Sequence, residues 1–512
     1  MPAAMVAAGI LTSRLSGLVR SSVVAHFLGN GAVASAWTAA FRIPNLLQNL
    51  FGEGALSASF IPVYARLEAE GARDEARRLA GSVAALLGLV VAALVAIGVL
   101  LTPFLIDAIA PGFEGDMREL TIRLVRIAFP GTGILVLSAW CLGVLNSHHR
   151  FFLPYAAPVA WNVAIVAAFL FFRDAGSLPR LAELAMWGAV AGSALQLVVQ
   201  LPAVLRLLGG LRVSLAGRTP SLGIVLRNFL PVSLSRGITQ VSGYVDTLLA
   251  SLISATAVAS LGYAQLLATL PVSLFGMAVS AAELPAMSSA RGSDAEVASQ
   301  LRQRLDAGLR RIAFFVVPSA VAFASIGHLL AAVIFQSGRF TAADSLTIWS
   351  ILAASAVGLL AATLGRLYSS SYYALRDTRT PVRIAIARVA TGVLLGWLLG
   401  LVIPRALGID ARWATAGLAL GASLAAWVEF ILLRRGMNRR VGATGVPGGL
   451  LLRLVAAALA GAAGAWAVHL LLPAIGRLEG LAAAAMFGIL YLLTTYALGV
   501  PEARGLARRS IR

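Results

Sequence analysis

The stretch that decides the fold class is Gly81–Ile106, GSVAALLGLVVAALVAIGVLLTPFLI, which lies in a charge-free interval between Arg78 and Asp107. Crossing the hydrocarbon of a bilayer takes roughly 20 mostly apolar residues in a helix. Inside the bilayer the backbone must satisfy its own hydrogen bonds, so such a run reads as a transmembrane helix. Working outward, similar runs recur along the whole chain, near 4–28, 32–65, 81–108, 121–147, 153–173, 181–207, 222–252, 256–288, 303–334, 343–373, 380–402, 412–435, 449–472 and 480–499. Several are longer than a bilayer requires, which tilt or projection into water accommodates. The expected fold class is an all-α polytopic membrane protein of about 14 transmembrane helices.

Composition agrees. Of the 512 residues, 59% are hydrophobic and 12% charged, with a mean hydropathy of +0.86. A soluble chain of this length could bury a large core but would still need a polar exterior, and there is too little polar residue to make one. The net charge is +19, and all 41 basic residues are arginine. These sit in short clusters between apolar runs and not along one face of a soluble domain, so anionic lipid headgroups, not nucleic acid, are the expected partner. The single cysteine, Cys141, lies in an apolar run and can form no internal disulfide. The first apolar stretch carries Arg14 and Arg20 and lacks a small-residue cleavage site, so it is expected to stay in the protein.

The arginines also set topology. One set of connections holds Arg66, Arg73, Arg77 and Arg78, then Arg150, Arg212, Arg218, Arg291, Arg302, Arg376, Arg379, Arg439 and Arg440, with Arg504, Arg508, Arg509 and Arg512 in the tail. The alternate connections hold far fewer. The positive-inside rule puts the rich set in the cytoplasm, with both termini there. A weak repeat is present at an offset of 222 to 227 residues. Ser13-Arg14 recurs as Ser235-Arg236, Ser57-Ala58 with Pro62 as Ser280-Ala281 with Pro285, Pro111-Gly112-Phe113 as Ser337-Gly338-Arg339-Phe340, and Pro154 as Pro381. Six helices separate the copies, which implies parallel six-helix lobes around a central cavity: an N-terminal lobe at 1–218, a C-terminal lobe at 219–440, and a hairpin with a basic tail at 441–512. Two such lobes suggest a transporter working by alternating access.

Charges inside spans are costly and face a cavity or a partner. Arg14 and Arg20 lie about 9 Å apart along the first helix. Forked guanidinium groups at that spacing suit a diphosphate. Glu53, within Phe51-Gly52-Glu53-Gly54, marks a helix distortion lining a cavity and a carboxylate that could hold an arginine until substrate arrives. Asp246, in the seventh span, is a candidate site for Na⁺ or H⁺ coupling, or a structural pair with Arg388 of the eleventh. The five histidines show no metal-ligand spacing, so no metal is expected, and His148-His149-Arg150 reads as a solvated turn. No Walker loop, HExxH or GxSxG is present, so no cofactor and no enzyme activity are expected.

Thr12-Ser-Arg-Leu-Ser-Gly-Leu-Val-Arg20, followed by Phe41-Arg-Ile-Pro-Asn-Leu-Leu47 and Phe51-Gly-Glu-Gly-Ala-Leu-Ser-Ala-Ser-Phe-Ile-Pro62, resembles the MurJ (MviN) family of lipid II flippases. Tyr373 to Pro381 and Asn146 to Pro154 resemble that family's turns before the eleventh and fifth helices. The resemblance implies the fold of the multidrug/oligosaccharidyl-lipid/polysaccharide exporter superfamily, with a cationic cavity and a lipid-tail groove at helices 13 and 14. It also implies a bacterial cytoplasmic (inner) membrane as location and an undecaprenyl-diphosphate-linked disaccharide-pentapeptide as substrate. Arg14, Arg20 and Glu53 match the family's cavity residues. Gln48 stands where other members have arginine, Gln265 and Leu266 replace an acid–arginine pair, and Ser35 replaces an acid. Gln48 and Gln265 are then expected to assist by hydrogen bonds, and Arg42 or Arg236 could turn inward. Asp246 matches the acid through which some members bind Na⁺, but Ala387, Arg388 and Gly396 stand where its polar partners would be. The missing arginines motivate one alternative, a flippase for another polyprenyl-linked glycan such as an O-antigen or capsule unit; a second, of a different class, is a non-transporting membrane scaffold that binds cell-wall synthesis proteins or lipid.

Overall fold

The computed structural model describes residues 2–210, 220–277, 293–471 and 477–510, with 279, 280, 283 and 287, and its described residues form helices and no strand. They divide into two compact units, Met1–Ser251 and Leu252–Arg512. The first contains α1 (Pro2–Leu28), α2 (Ala32–Phe51), α3 (Glu53–Ser59), α4 (Ile61–Ala69), α5 (Arg73–Ile109), α6 (Gly115–Ser147), α7 (Phe152–Ala156), α8 (Pro158–Phe171), α9 (Leu178–Leu208) and nearly all of α10 (Pro220–Ile253). The second contains α11 (Ala257–Pro271), α12 (Asp294–Phe335), α13 (Ala342–Ala374), α14 (Arg379–Trp397), α15 (Ile403–Leu407), α16 (Ala411–Val441), α17 (Gly448–Leu471), α18 (Arg477–Ala497) and α19 (Pro501–Ser510).

Eleven helical segments among the described residues are long and apolar enough to cross a membrane. The three expected spans outside that group correspond to α1, α2 and α10, whose sequences carry Arg14 and Arg20, Arg42, and Arg227, Arg236 and Asp246. Large apolar side chains point outward on the others: Leu100 is 73% exposed, Phe104 72% and Phe171 84%. In water each would cost about 1.5–3 kcal/mol relative to burial, whereas lipid tails accept them. The chain is a multi-pass membrane protein.

In the first unit the core is formed by Phe60, Tyr64, Leu79, Trp140 and Cys141, which join α3–α4 and the connection between them to α5 and α6. The single second span expected over 32–65 is instead broken. α2 stops at Phe51, Gly52 turns the chain (φ −84°, ψ −149°), and α3 starts at Glu53. A β-carbon on Gly52 would lie 2.2 Å from the Gln48 carbonyl oxygen, so the turn is open only to glycine. Helix α10 is fastened to this unit from α2. Arg42 Nη1 donates to the Gly243 carbonyl at 2.7 Å, the Tyr244 hydroxyl donates to the Arg42 carbonyl at 3.0 Å, and Ser233 Oγ donates to the Leu50 carbonyl at 2.8 Å.

In the second unit, α17 and α18 pack on α12 through Phe314, Leu454, Ala457, Phe487 and Tyr491, whose hydroxyl donates to the Phe314 carbonyl. Hydroxyl and acidic side chains start the long helices: Ser293 with Glu296 on α12, and Thr341 with Asp344 on α13, each form a reciprocal capping box. The backbone geometry carries the repeat. Among the described residues His149 and Arg376, 227 positions apart, are the non-glycine residues with positive φ, each at 59°. Arg150 N–H donates to Leu145, and Asp377 N–H to Tyr372; Phe113 N–H donates to Ala110, and Phe340 N–H to Ser337. The same turns recur at one offset in two units whose side chains have diverged.

Candidate functional site

The position of Arg14 follows from how α1 is gripped. Gly9 lets α1 approach Tyr155 so closely that a β-carbon would sit 2.8 Å from that residue's own. Two turns on, Ser16 Oγ accepts from Asn162 Nδ2 at 2.8 Å. One turn further, the Arg20 guanidinium carbon lies 4.8 Å from the centre of the Trp161 ring, a cation–π contact. Positions 9, 16 and 20 share one helix face, and that face is turned to α7 and α8. Leu11, Leu15 and Val19 are exposed on another. Ile10, Ser13 and Arg14 then border a cavity of about 930 Å³.

The other walls of that cavity are polar to an unusual degree for an intramembrane space. α2 contributes Asn45, Gln48 and Asn49, one face at i, i+3, i+4 spacing; the turn at Gly52 brings in Glu53, Gly54 and Ser57. α6 contributes Leu135, Ser138, Ala139 and Leu142, the α7–α8 corner adds Pro154, Tyr155 and Pro158, and α9 adds Gln196 and Gln200. Arg14 and Glu53 are both exposed on this wall. Chemically the cavity offers one forked cation, one carboxylate and a set of neutral amides and hydroxyls. That set can hold an anionic group together with uncharged hydroxyl- or amide-bearing groups.

Of the residues expected from sequence, Arg14, Gln48 and Glu53 therefore meet at one cavity. Arg20 is not on its wall and is committed to Trp161. Arg42 turns to α10 and bonds Gly243. Gln265 lies half-buried on α11 of the second unit, and the side chain of Arg236 is outside the described residues. Arg388 Nη1 donates to Glu429 Oε2 at 2.9 Å within the second unit, and Asp246 acts electrostatically on Arg42. Glu429 sits on α16 at a depth that brings it to α14, a register no single sequence reveals. The His148 turn is also not merely solvated: His148 Nε2 and the Tyr64 hydroxyl share a hydrogen bond of 2.9 Å, and burial lowers the imidazole pKa from its ordinary value. Sequence reasoning missed Asn45, Asn49, Ser138, Gln196 and Gln200. Their signal was present, because amides at i, i+3 or i+4 in an apolar run mark one polar face.

Fold and cavity together define a class: a multi-pass helical transporter with an intramembrane polar chamber. A solved structure entitled "Lipid II flippase MurJ, inward closed conformation" matches with a TM-score of 0.78 at 22% identity over 99% of both chains. An inward-facing multidrug resistance MATE family transporter of the MOP superfamily matches at 0.63 and 16% identity over 83% of this chain and 95% of its own. At such identities these likenesses concern the fold. The family model described as "Lipid II flippase MurJ" matches residues 24–479. The lipid II flippase MurJ of Burkholderia cenocepacia is 32% identical over 458 residues, covering 88% of this chain and 86% of its own; the probable lipid II flippase MurJ of Rhizobium meliloti is 33% identical over 439 residues, covering 84% and 79%. The chain belongs to the MurJ lipid II flippase family.

Proposed function

We propose that this protein moves lipid II, an undecaprenyl-diphosphate-linked sugar–peptide, across the bacterial cytoplasmic membrane by alternating access. The observation that carries the reading is Arg14, a permanently charged fork on the wall of a polar intramembrane cavity, in a chain of the MurJ family. The diphosphate docks on Arg14, Gln48 assists by hydrogen bonding, and Glu53 neutralises the cation when the cavity holds no substrate. The polyprenyl tail stays in lipid, where the exposed apolar faces of the helices also sit. Both termini are cytoplasmic, a reading supported by the arginine-rich connections. Asp246 acts electrostatically on Arg42, and we read it as a counter-ion to that arginine in preference to a sodium site.

Complementation of a lipid II flippase-depleted bacterium tests the reading. The wild-type chain restores growth and Arg14→Ala does not; restored growth with Arg14→Ala at wild-type protein levels would overturn it. Transport in vesicles with Na⁺ replaced by K⁺ keeps its rate if Asp246 is a counter-ion.

A further inference from the structure

The cavity of the first unit has two chemically different sides. Arg14 and Glu53 bring charge from α1 and α3. The side built by α6 and α9 brings none. There Gln200 Nε2 donates to Ser138 Oγ at 2.6 Å and to the Gln196 carbonyl at 3.1 Å, and Gln196 Nε2 donates to the same Ser138 Oγ at 3.0 Å. Both hydrogens of the Gln200 amide are thereby used, and both lone pairs of the Ser138 hydroxyl are occupied. One acceptor and one donor are left over: the Gln200 carbonyl Oε1, buried and without a hydrogen-bond partner among the described residues, and the Ser138 hydroxyl hydrogen. Ser138, Gln196 and Gln200 are at most 9% exposed, and all three border the cavity.

Such a network could serve only as a polar clamp between two helices. The internal repeat argues otherwise. In the first unit α6 crosses α9 where Gly131 meets Ser193, and in the second α13 crosses α16 where Gly358 meets Ser423. Counted from those anchors, the positions of Ser138, Gln196 and Gln200 are taken by Gly365, Ala426 and Phe430. None of those three positions carries a polar side chain in the second unit, where the Glu429 carboxylate, paired with Arg388, comes within 4.0 Å of a β-carbon placed on Gly365. The amide–hydroxyl network is thus particular to the first unit, and there it leaves a buried carbonyl unmatched, at a cost in free energy.

We propose that Ser138, Gln196 and Gln200 form a subsite for the uncharged, hydroxyl- and amide-bearing part of the substrate headgroup, beside the phosphate position at Arg14. A neutral acceptor and donor match a sugar hydroxyl or an amide and cannot neutralise a phosphate. A site with buried hydrogen-bonding groups also discriminates against ligands that leave those groups unmatched. At about 930 Å³ the cavity is large enough to take more than a diphosphate. The proposal rests on the lipid II reading above and makes this wall the element that selects the glycan–peptide over the bare lipid diphosphate.

The test compares two probes, lipid II and undecaprenyl diphosphate, binding to the full chain in lipid nanodiscs. Wild type prefers lipid II, and Gln200→Met together with Gln196→Met lowers that ratio on the order of tenfold, as expected for two or three hydrogen bonds. Ser138→Ala, a smaller change, lowers it in the same direction and serves if the methionine variant fails to fold. A wild-type ratio near one, or a ratio unchanged in the folded variants, overturns the subsite. Failure of the lipid II reading looks different: neither probe then binds in a way that depends on Arg14.

Discussion

Replacing Gly52 by alanine tests whether the turn between α2 and α3 positions the cavity charges. The added methyl would stand 2.2 Å from the Gln48 carbonyl oxygen and 3.2 Å from its carbon, and that oxygen already accepts the Gly52 N–H at 2.8 Å. An ordinary contact is longer by more than 1 Å. The obstacle is backbone, so relief requires rotation about residue 52 and carries α3 with it. Overpacking of this kind costs about 1–3 kcal/mol. The displacement falls on Glu53, the next residue, and on Gln48, one turn back, both of which line the cavity. A misplacement of about 1 Å at a positioned group can cost on the order of 100-fold in function. Gly52→Ala is therefore expected to lose complementation and weaken lipid II binding, with only modest loss of thermal stability. Gly31→Ala is the control, because nothing lies within 4 Å of a β-carbon there. Wild-type growth and affinity with Gly52→Ala would refute the claim that the break in the second span builds the site.

Arg14→Lys keeps the charge but loses the fork, so its lipid II affinity is expected to fall between those of wild type and Arg14→Ala, the latter weaker by roughly 10- to 100-fold. Glu53→Gln removes the competing carboxylate and should raise affinity for undecaprenyl diphosphate in the same binding assay. Arg388→Ala leaves Glu429, only 13% exposed, without this ion-pair partner, so it should destabilise more than the double change Arg388→Ala/Glu429→Ala, read as a difference in unfolding temperature. Asp377, in the turn before α14, accepts from the Thr380 N–H, the Thr380 hydroxyl and Arg440, which hold its pKa well below the usual carboxylate range. Its folded pKa is depressed, so its stabilisation is present above about pH 4 and is lost as pH falls below that; Asp377→Asn should flatten this acid limb and lower stability at neutral pH by about 1 kcal/mol.

The sequence by itself determined the solvent of this protein and its all-helical, multi-span build. Runs such as Gly81–Ile106 admit one low-energy state in hydrocarbon, a helix, and that follows from local hydrogen bonding. It also singled out Arg14 and Glu53, because an isolated charge in an apolar run is conspicuous, and Gln48 through the family resemblance, and it pointed to a repeat whose turns the backbone reproduces at His149 and Arg376. Tertiary structure decided which of these groups meet. Arg20 lies a turn and a half from Arg14 on the same helix, yet helix rotation sends it to Trp161. Arg388 pairs with Glu429 of a helix that follows it, a partner that charge and spacing in the sequence did not single out. The amide wall at Ser138, Gln196 and Gln200 joins helices some 60 residues apart in sequence. Helical periodicity fixes which residues share a face; the azimuth of that face and its neighbour across the gap are set by close packing at small residues such as Gly9 and Gly131, and no local rule carries that information.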